Sequence, residues 1–390
     1  MRLLHTSDWH LGRSLHRVSM LEAQAAFLDH LVITVRDREV DAVLVAGDVY
    51  DRAVPPLAAV ELFDRALHRL AAEGVPTVMI SGNHDSARRL GVAAGLIERV
   101  GIHLRTDPAN CAAPVLLADD HGEVACYGLP YLEPALVKDE FRAEKAHHEA
   151  VLGAAMDRVR ADLATRAPGT RSLVLAHAFV AGGEASDSER DITVGGVSAV
   201  PAGVFHGVDY TALGHLHGSQ TITERVRYSG SPLAYSFSEA AHRKTMWLVD
   251  LGPRGEIAAE RVDCPVPRPL ARLRGTLAEL LDDPALERHR DSFVEAVLTD
   301  RARPADPMAR LAERFPHTLS LVFEPDRAAE DASVSYAQRL RGRGDQQIAE
   351  DFVSHVRGEG PDERERTALR DAFEGVRVDE TLHEGANRRA

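Results

Sequence analysis

Apolar and polar positions repeat one pattern through about the first 260 residues: a short apolar run ends in a polar cluster, and a helical stretch often follows. The runs are Arg2 to Thr6, Ala42 to Ala46, Thr77 to Ile80, Val124 to Leu129, Leu173 to Ala176 and Tyr210 to Leu213. They are rich in Val, Leu and Ile, the composition of buried strands. Between them, Phe27, Leu28, Leu31, Val32 and Val35 mark one apolar helix face, and Leu62, Phe63, Ala66, Leu67 and Leu70 mark another. This alternation predicts α/β architecture. Arg225 to Tyr228 and Thr245 to Leu251 are expected to form a closing strand pair.

Pro265, Pro267 and Pro269 forbid regular pairing and mark a linker. Beyond it, Leu273 to Leu281, an alternating Phe293 to Leu298, a helix near Met308 to Arg314 and a strand at Thr318 to Phe323 predict a small α+β domain. After about residue 326 the chain is charged and poor in apolar residues. One stretch carries Ile348, Phe352, Val353 and Val356, and another Leu369, Phe373 and Val376, both at helical spacing, with Gly358 to Pro361 as the break. Either these are amphipathic helices that need a partner, or the segment is a loosely ordered tail. The domain reading is 1–264, 270–325 and a helical segment at 340–380.

All of the runs except Val124 to Leu129 end in metal-ligand chemistry. Asp8-Trp9-His10 follows the first, Gly47-Asp48 the second and Gly82-Asn83-His84-Asp85 the third. His177 follows the fourth and Gly214-His215-Leu216-His217 the fifth. Carboxyl ends of strands in an open α/β sheet share one rim, so these clusters are expected to converge. Asp8 and His10, like His215 and His217, sit two apart, which in extended backbone directs both side chains the same way. With 19 histidines, a lone one is ordinarily a satisfied or exposed residue, and His5, His16, His30, His68, His121, His147 and His148 are read so. Asp8, His10, Asp48, Asn83, His177, His215 and His217 together are read as ligands. A thiolate-free set of Asp, Asn and His suits manganese, with iron and zinc as competitors.

Composition narrows the class. The 390 residues are 44% apolar and 27% charged, a globular balance that excludes collagen-like, disordered and multi-span membrane chains. Sixty acidic against 46 basic residues, a formal charge of −14, argue against coating nucleic acid through bulk positive charge and leave only a local basic groove. Three scattered cysteines without Cys-x-x-Cys spacing encode neither a disulfide framework nor a structural zinc site, so a cytoplasmic location is expected.

Asp-x-His, Gly-Asp, Gly-Asn-His-Asp, a lone His and Gly-His-x-His, in this order, resemble the calcineurin-like metallophosphoesterase superfamily. Ser7-Asp8-Trp9-His10-Leu11-Gly12, Tyr228-Ser229-Gly230-Ser231-Pro232-Leu233 and the post-linker domain resemble, within it, the SbcD-type nuclease subunits. The resemblance spans roughly residues 1 to 325, and the tail more loosely. It implies an αββα sandwich with a small α+β capping domain and a helical C-terminal tail. It also implies that Asp8, His10, Asp48 and His217 hold one metal and that Asp48, Asn83, His177 and His215 hold the other. Two divalent cations about 4 Å apart can share a water, lower its pKa toward ~7 and clamp a phosphodiester. By the same resemblance His84 stabilises charge at the leaving oxygen and Asp85 fixes its ring. Some relatives outside bacteria carry a second histidine where Asp51 stands here, so a role for Asp51 is left open.

The implied activity is 3′ to 5′ duplex exonuclease and single-strand or hairpin endonuclease action, in DNA repair, replication and recombination. The resemblance also implies ATP dependence, yet the three lysines, Lys138, Lys145 and Lys244, do not follow P-loop spacing, so ATP hydrolysis is expected of another subunit. The resemblance names an SbcC-type coiled-coil ATPase, docked by the tail helices, with a homodimer of this chain inside a heterotetramer. Arg13, Arg17, Arg88 and Arg89 are either DNA contacts or ordinary solvated arginines. The competing readings are a phosphodiesterase or phosphatase for small or protein substrates, and a scaffold that kept the fold and lost the metals.

Overall fold

A computed structural model describes residues 1–192, 199–325, 344–357 and 359–374. The chain divides into two compact units, Met1–Leu270 and Ala271–Ala390. In the first, two six-stranded sheets form the centre. One runs in the order Ile257–Asp263, Thr245–Leu251, Arg2–Thr6, Ala42–Val45, Thr77–Ile80, Ile102–Arg105. Its last four strands are parallel, and Thr245–Leu251 lies antiparallel to Arg2–Thr6. The other runs Gln220–Thr221, Val226–Tyr228, Tyr210–Gly214, Arg171–His177, Gly122–Leu129, Val115–Asp119.

The period-2 alternation of the strands sorts their side chains into three apolar layers. Leu3, Leu44, Val78 and Ile80 face Cys126, Leu173, Leu175 and Ala212 between the sheets. Leu4, Val43, Val45 and Met79 point outward onto the helices Leu21–Asp37 and Leu57–Glu73. On the opposite outer face, Ala125, Tyr127, Val174 and Ala176 meet the helices Pro134–Phe141 and His148–Leu163. Each fully buried Val, Leu or Ile contributes about 1.5–3 kcal/mol. This is a helix–sheet–sheet–helix sandwich.

Two expectations change. Val226–Tyr228 and Thr245–Leu251 do not pair with each other: the first pairs with Tyr210–Gly214, the second with Arg2–Thr6 and Ile257–Asp263, and they lie in different sheets. A local sequence window holds no information about which of several apolar partners a strand takes. For the same reason the ligand-bearing strand ends do not share one sheet's rim. Three belong to the first sheet and two to the second, and their clusters meet across the sandwich.

In the second unit the strands Leu270–Gly275, Phe293–Leu298 and Thr318–Phe323 form a sheet in that order. Val294, Ala296 and Leu298 alternate inward against Leu277, Leu311 and Phe315 of the helical segments. Thr276 and Glu279 close a reciprocal cap at the start of Leu277–Asp282. Farther on, Asp345–Arg357 is a helix and 363–374 another. Arg357 grips Glu365 between them at 2.6 and 2.7 Å. Phe352 is 55% and Val356 65% exposed, while Leu369 and Phe373 are half-buried. Val376, the last member of the second apolar stripe, lies outside the described residues.

A two-sheet candidate metal centre

The ligand clusters are carried by tight, strained loops. Asp8, His10 and Asp48 have left-handed backbone, φ 53°, 45° and 49°, and His215 has φ 108°. Extended geometry therefore does not align Asp8 with His10, as the spacing alone implies. Each such residue costs on the order of 1–3 kcal/mol and needs outside support. Backbone bonds supply part of it: Asp8 N donates to Gly47 O and His10 N to Asp48 O, both at 3.0 Å. The buried Gln24 side chain supplies more, donating to His10 O at 2.8 Å and accepting from Gly12 N at 3.0 Å. Tyr235 OH donates to Trp9 O at 2.5 Å. Gly82 and Gly214 are needed for room, because a Cβ would collide with the Asp48 carboxylate at the first and Ala46 O at the second.

On this scaffold three groups of side chains close in: Asp8 with His10 and His217, His10 with Asp48 and His84, and Asp8 with Asp48 and His177. Asp48 is the hub. Its Oδ1 accepts from His84 N at 2.9 Å, and its Oδ2 lies 3.5 Å from His177 Nε2, 3.6 Å from His10 Nε2 and 4.0 Å from His84 Nε2. Asn83 Oδ1 is 2.9 Å from His177 Nε2, and the His215 ring meets the His177 ring edge-on at 5.4 Å. All seven expected ligand positions thus stand in one cluster, six of them buried and Asn83 half-buried. His5 is absent from it, held between the sheets by Tyr210 OH at 2.9 Å and Leu213 O at 3.1 Å.

Hydrogen bonding outside the cluster fixes which ring nitrogens face inward. His177 Nδ1–H donates to Ala46 O at 2.9 Å, leaving Nε2 toward the oxygens of Asn83 and Asp48. His217 Nδ1 faces Glu239 Oε1 at 3.3 Å, leaving its Nε2 3.0 Å from His10 Nε2. His10 Nδ1 is buried without a hydrogen-bond partner. A proton or a cation closes the His10–His217 contact, and carboxylate oxygens and imidazole nitrogens turned to one point are a donor set that fits divalent cations. Where no cation is bound, a proton on His177 Nε2 takes that place beside Asp48. Burial pushes the Asp8 carboxyl up to about 6 and holds His215 down at about 3, while Asp48 draws His177 up to about 9 against the effect of burial.

Asp85 does not orient His84. Its carboxylate accepts from the backbone N–H of Val49 at 3.1 Å, Tyr50 at 2.8 Å and Gly82 at 2.9 Å, pinning two ligand loops together. The His84 ring is fixed by Asp51 O, which accepts from Nδ1 at 2.8 Å. A main-chain carbonyl carries no signal in the sequence, whereas the adjacent carboxylate does. Sequence reading also passed over Glu239, Lys244, Ser188, Gln24 and Tyr235, which carry no motif of their own. Of the arginines, Arg13 stacks on Tyr235 with its guanidinium 5.1 Å from the ring centroid and donates to Ser188 O at 2.8 Å. Arg89 donates to Ala53 O at 3.0 Å.

Residues 1–219 match the calcineurin-like phosphoesterase family, and residues 266–357 match the family described as the Type 5 capsule protein repressor C-terminal domain. Among solved structures, the crystal structure of TT1561 of Thermus thermophilus is similar at 13% identity and a TM-score of 0.38, covering 67% of this chain and 98% of that one. With its phosphoesterase domain spanning more than half of its length and the second domain following it, this chain belongs to the calcineurin-like phosphoesterases and is of the SbcD nuclease-subunit type.

Proposed function

We propose that this metal-dependent phosphoester hydrolase is a DNA nuclease, degrading duplex ends 3′ to 5′ and cutting single strands and hairpins, with a separate coiled-coil ATPase as partner in DNA repair, replication and recombination. The observation that carries the reading is the inward convergence of imidazole nitrogens and carboxylates from five strand ends, in a chain that also has the SbcD-type second domain. Asp8, His10, Asp48 and His217 would hold one ion and Asp48, Asn83, His177 and His215 the other, with manganese the ion that suits the donors. Bound there, two divalent ions supply a low-pKa water and neutralise phosphodiester charge.

His84, 7% exposed, is slightly less covered than the other histidines of this cluster. Its Nδ1–H is committed to Asp51 O, so it becomes a donor at Nε2 only as the imidazolium, the form that gives a proton to a leaving oxygen. Burial lowers the His84 pKa, and the negative charge of Asp48, and of a bound phosphate, opposes that. Phe352 and Val356 on Asp345–Arg357 are the apolar surface offered to the ATPase. Val92, Leu96 and Val100, exposed at intervals of four, are surface that a second copy would cover. Cys111, Cys126 and Cys264 are free and buried, which supports a cytoplasmic setting, and among the described residues no helix is long and apolar enough to cross a membrane.

The test is to incubate the purified chain with manganese and an end-labelled hairpin duplex, with and without the ATPase. Manganese-dependent opening of the hairpin is expected, with duplex degradation stimulated by ATP when the partner is present. Cleavage of bis(p-nitrophenyl) phosphate with no DNA cleavage under either condition would sink the nuclease reading.

A further inference from the structure

The two histidines at the centre of the site are oriented by different chemistry. His177 gives its outer N–H to a neutral acceptor, Ala46 O. His217 instead leans on a fully buried carboxylate: Glu239 Oε1 lies 3.3 Å from its Nδ1 and also accepts from Ser188 Oγ, which sits 2.5 Å from the same ring nitrogen. Lys244, equally buried, donates to the other Glu239 oxygen, to Ser231 Oγ at 2.9 Å and to His217 O at 3.0 Å. Its ammonium thereby ties the carboxylate to the main chain of the ligand it supports. The ring and the backbone of His217 are held from two sides by one ion pair, and Glu189 Oε1 accepts from His217 N at 2.7 Å.

We infer that Glu239 and Lys244 act as a unit of positioning residues for His217, so that one of the two bound ions depends on this buried pair and the other does not. The inference rests on the reading above, in which His217 is a ligand of one ion and His177 of the other. A buried charge pair is seldom a net source of stability, and well-shaped neutral replacements are often tolerated. That makes a purely structural reason for keeping this one weak. An anionic partner on the outer nitrogen fixes the tautomer and raises ligand basicity, and removing such a partner costs roughly 10–100-fold in metal affinity. Ala46 O supplies the same orientation at His177 without charge, which predicts an unequal response of the two sites.

The decisive variant is Glu239→Gln/Lys244→Met in the full chain, because Glu239→Gln alone strands the Lys244 ammonium in the interior and threatens the fold. The metal-free double variant is checked by its Tm and then titrated calorimetrically with manganese, beside wild type and His217→Ala. A variant that melts within a few degrees of wild type, with one ion weakened about 10–100-fold and the other unchanged, supports the assignment. Two ions bound at wild-type affinity, or an equal loss at both, overturns it. If His217→Ala itself retains both ions at wild-type affinity, the ligand reading has failed rather than the role of the pair.

Discussion

The Nε2 atoms of His10 and His217 face one another at 3.0 Å across the meeting point of the two sheets. One ring comes from the first loop of the chain and the other from the end of the Tyr210–Gly214 strand region. A cation bound by both rings would fasten the two sheets to each other. Each ion, at about 100 times its dissociation constant, should therefore stabilise the chain by about 2.7 kcal/mol. For a unit of this size that is a Tm rise of roughly 5–10 °C. Scanning calorimetry with chelator and then with manganese measures it, and His10→Ala should reduce the rise.

His84 and Asp85 are neighbours in sequence with separate tasks, and their variants should differ accordingly. His84→Ala should bind manganese at wild-type stoichiometry while single-turnover cleavage slows by roughly 100-fold or more. Loss of an ion in this variant would mean that His84 is a ligand.

Asp85→Ala leaves the N–H groups of Val49, Tyr50 and Gly82 without their acceptor. Each stranded buried donor costs about 1 kcal/mol or more, so unfolding in urea should shift by at least roughly 3 kcal/mol. A shift no larger than that of an ordinary surface substitution would show that the three bonds do not hold the loops.

Gly82→Ala places a methyl group against the Asp48 carboxylate and its backbone. Displacing the hub of the cluster should disturb both ions, so calorimetry is expected to show weakened binding at both sites in a protein that still folds. Selective loss of a single ion would contradict Asp48 as the shared group.

Asp119 accepts from Arg171 at 3.0 and 2.5 Å, and Arg171 is almost fully buried. The guanidinium holds the Asp119 carboxyl well below its usual range. A carboxylate with a lowered folded-state pKa stabilises the fold above its unfolded value of about 3.9, and that contribution fades as pH falls below it. Asp119→Asn should thus cost roughly 3 kcal/mol at pH 7 by stranding a buried cation, with a smaller difference from wild type at pH 3. Urea midpoints at the two pH values test the sign.

The tail makes the final claim. Phe352→Glu together with Val356→Glu alters exposed positions, so Tm and manganese-dependent cleavage should stay near wild type. Co-purification with the ATPase should be lost, and retention of the partner at unchanged affinity would place docking elsewhere.

The sequence by itself determined the local elements and the donor chemistry. Runs such as Ala42 to Val45 and Tyr210 to Leu213 are short, apolar and bounded by polar clusters, as interior strands are, and Asp-x-His, Gly-Asp and Gly-His-x-His carry the carboxylate and imidazole atoms that metal chemistry uses. The tertiary structure decided partners and directions. Val226–Tyr228 and Thr245–Leu251 carry similar apolar patterns, yet strand pairing depends on which edges remain free once each sheet assembles. The alignment of Asp8 with His10 comes from left-handed backbone held by Gln24 and Tyr235, residues distant in sequence. The partners that set ring orientation, Ala46 O, Asp51 O and Glu239, were hidden for a physical reason: two are peptide carbonyls, which every residue has, and the third is a carboxylate whose role exists only once folding buries it beside His217 and Lys244.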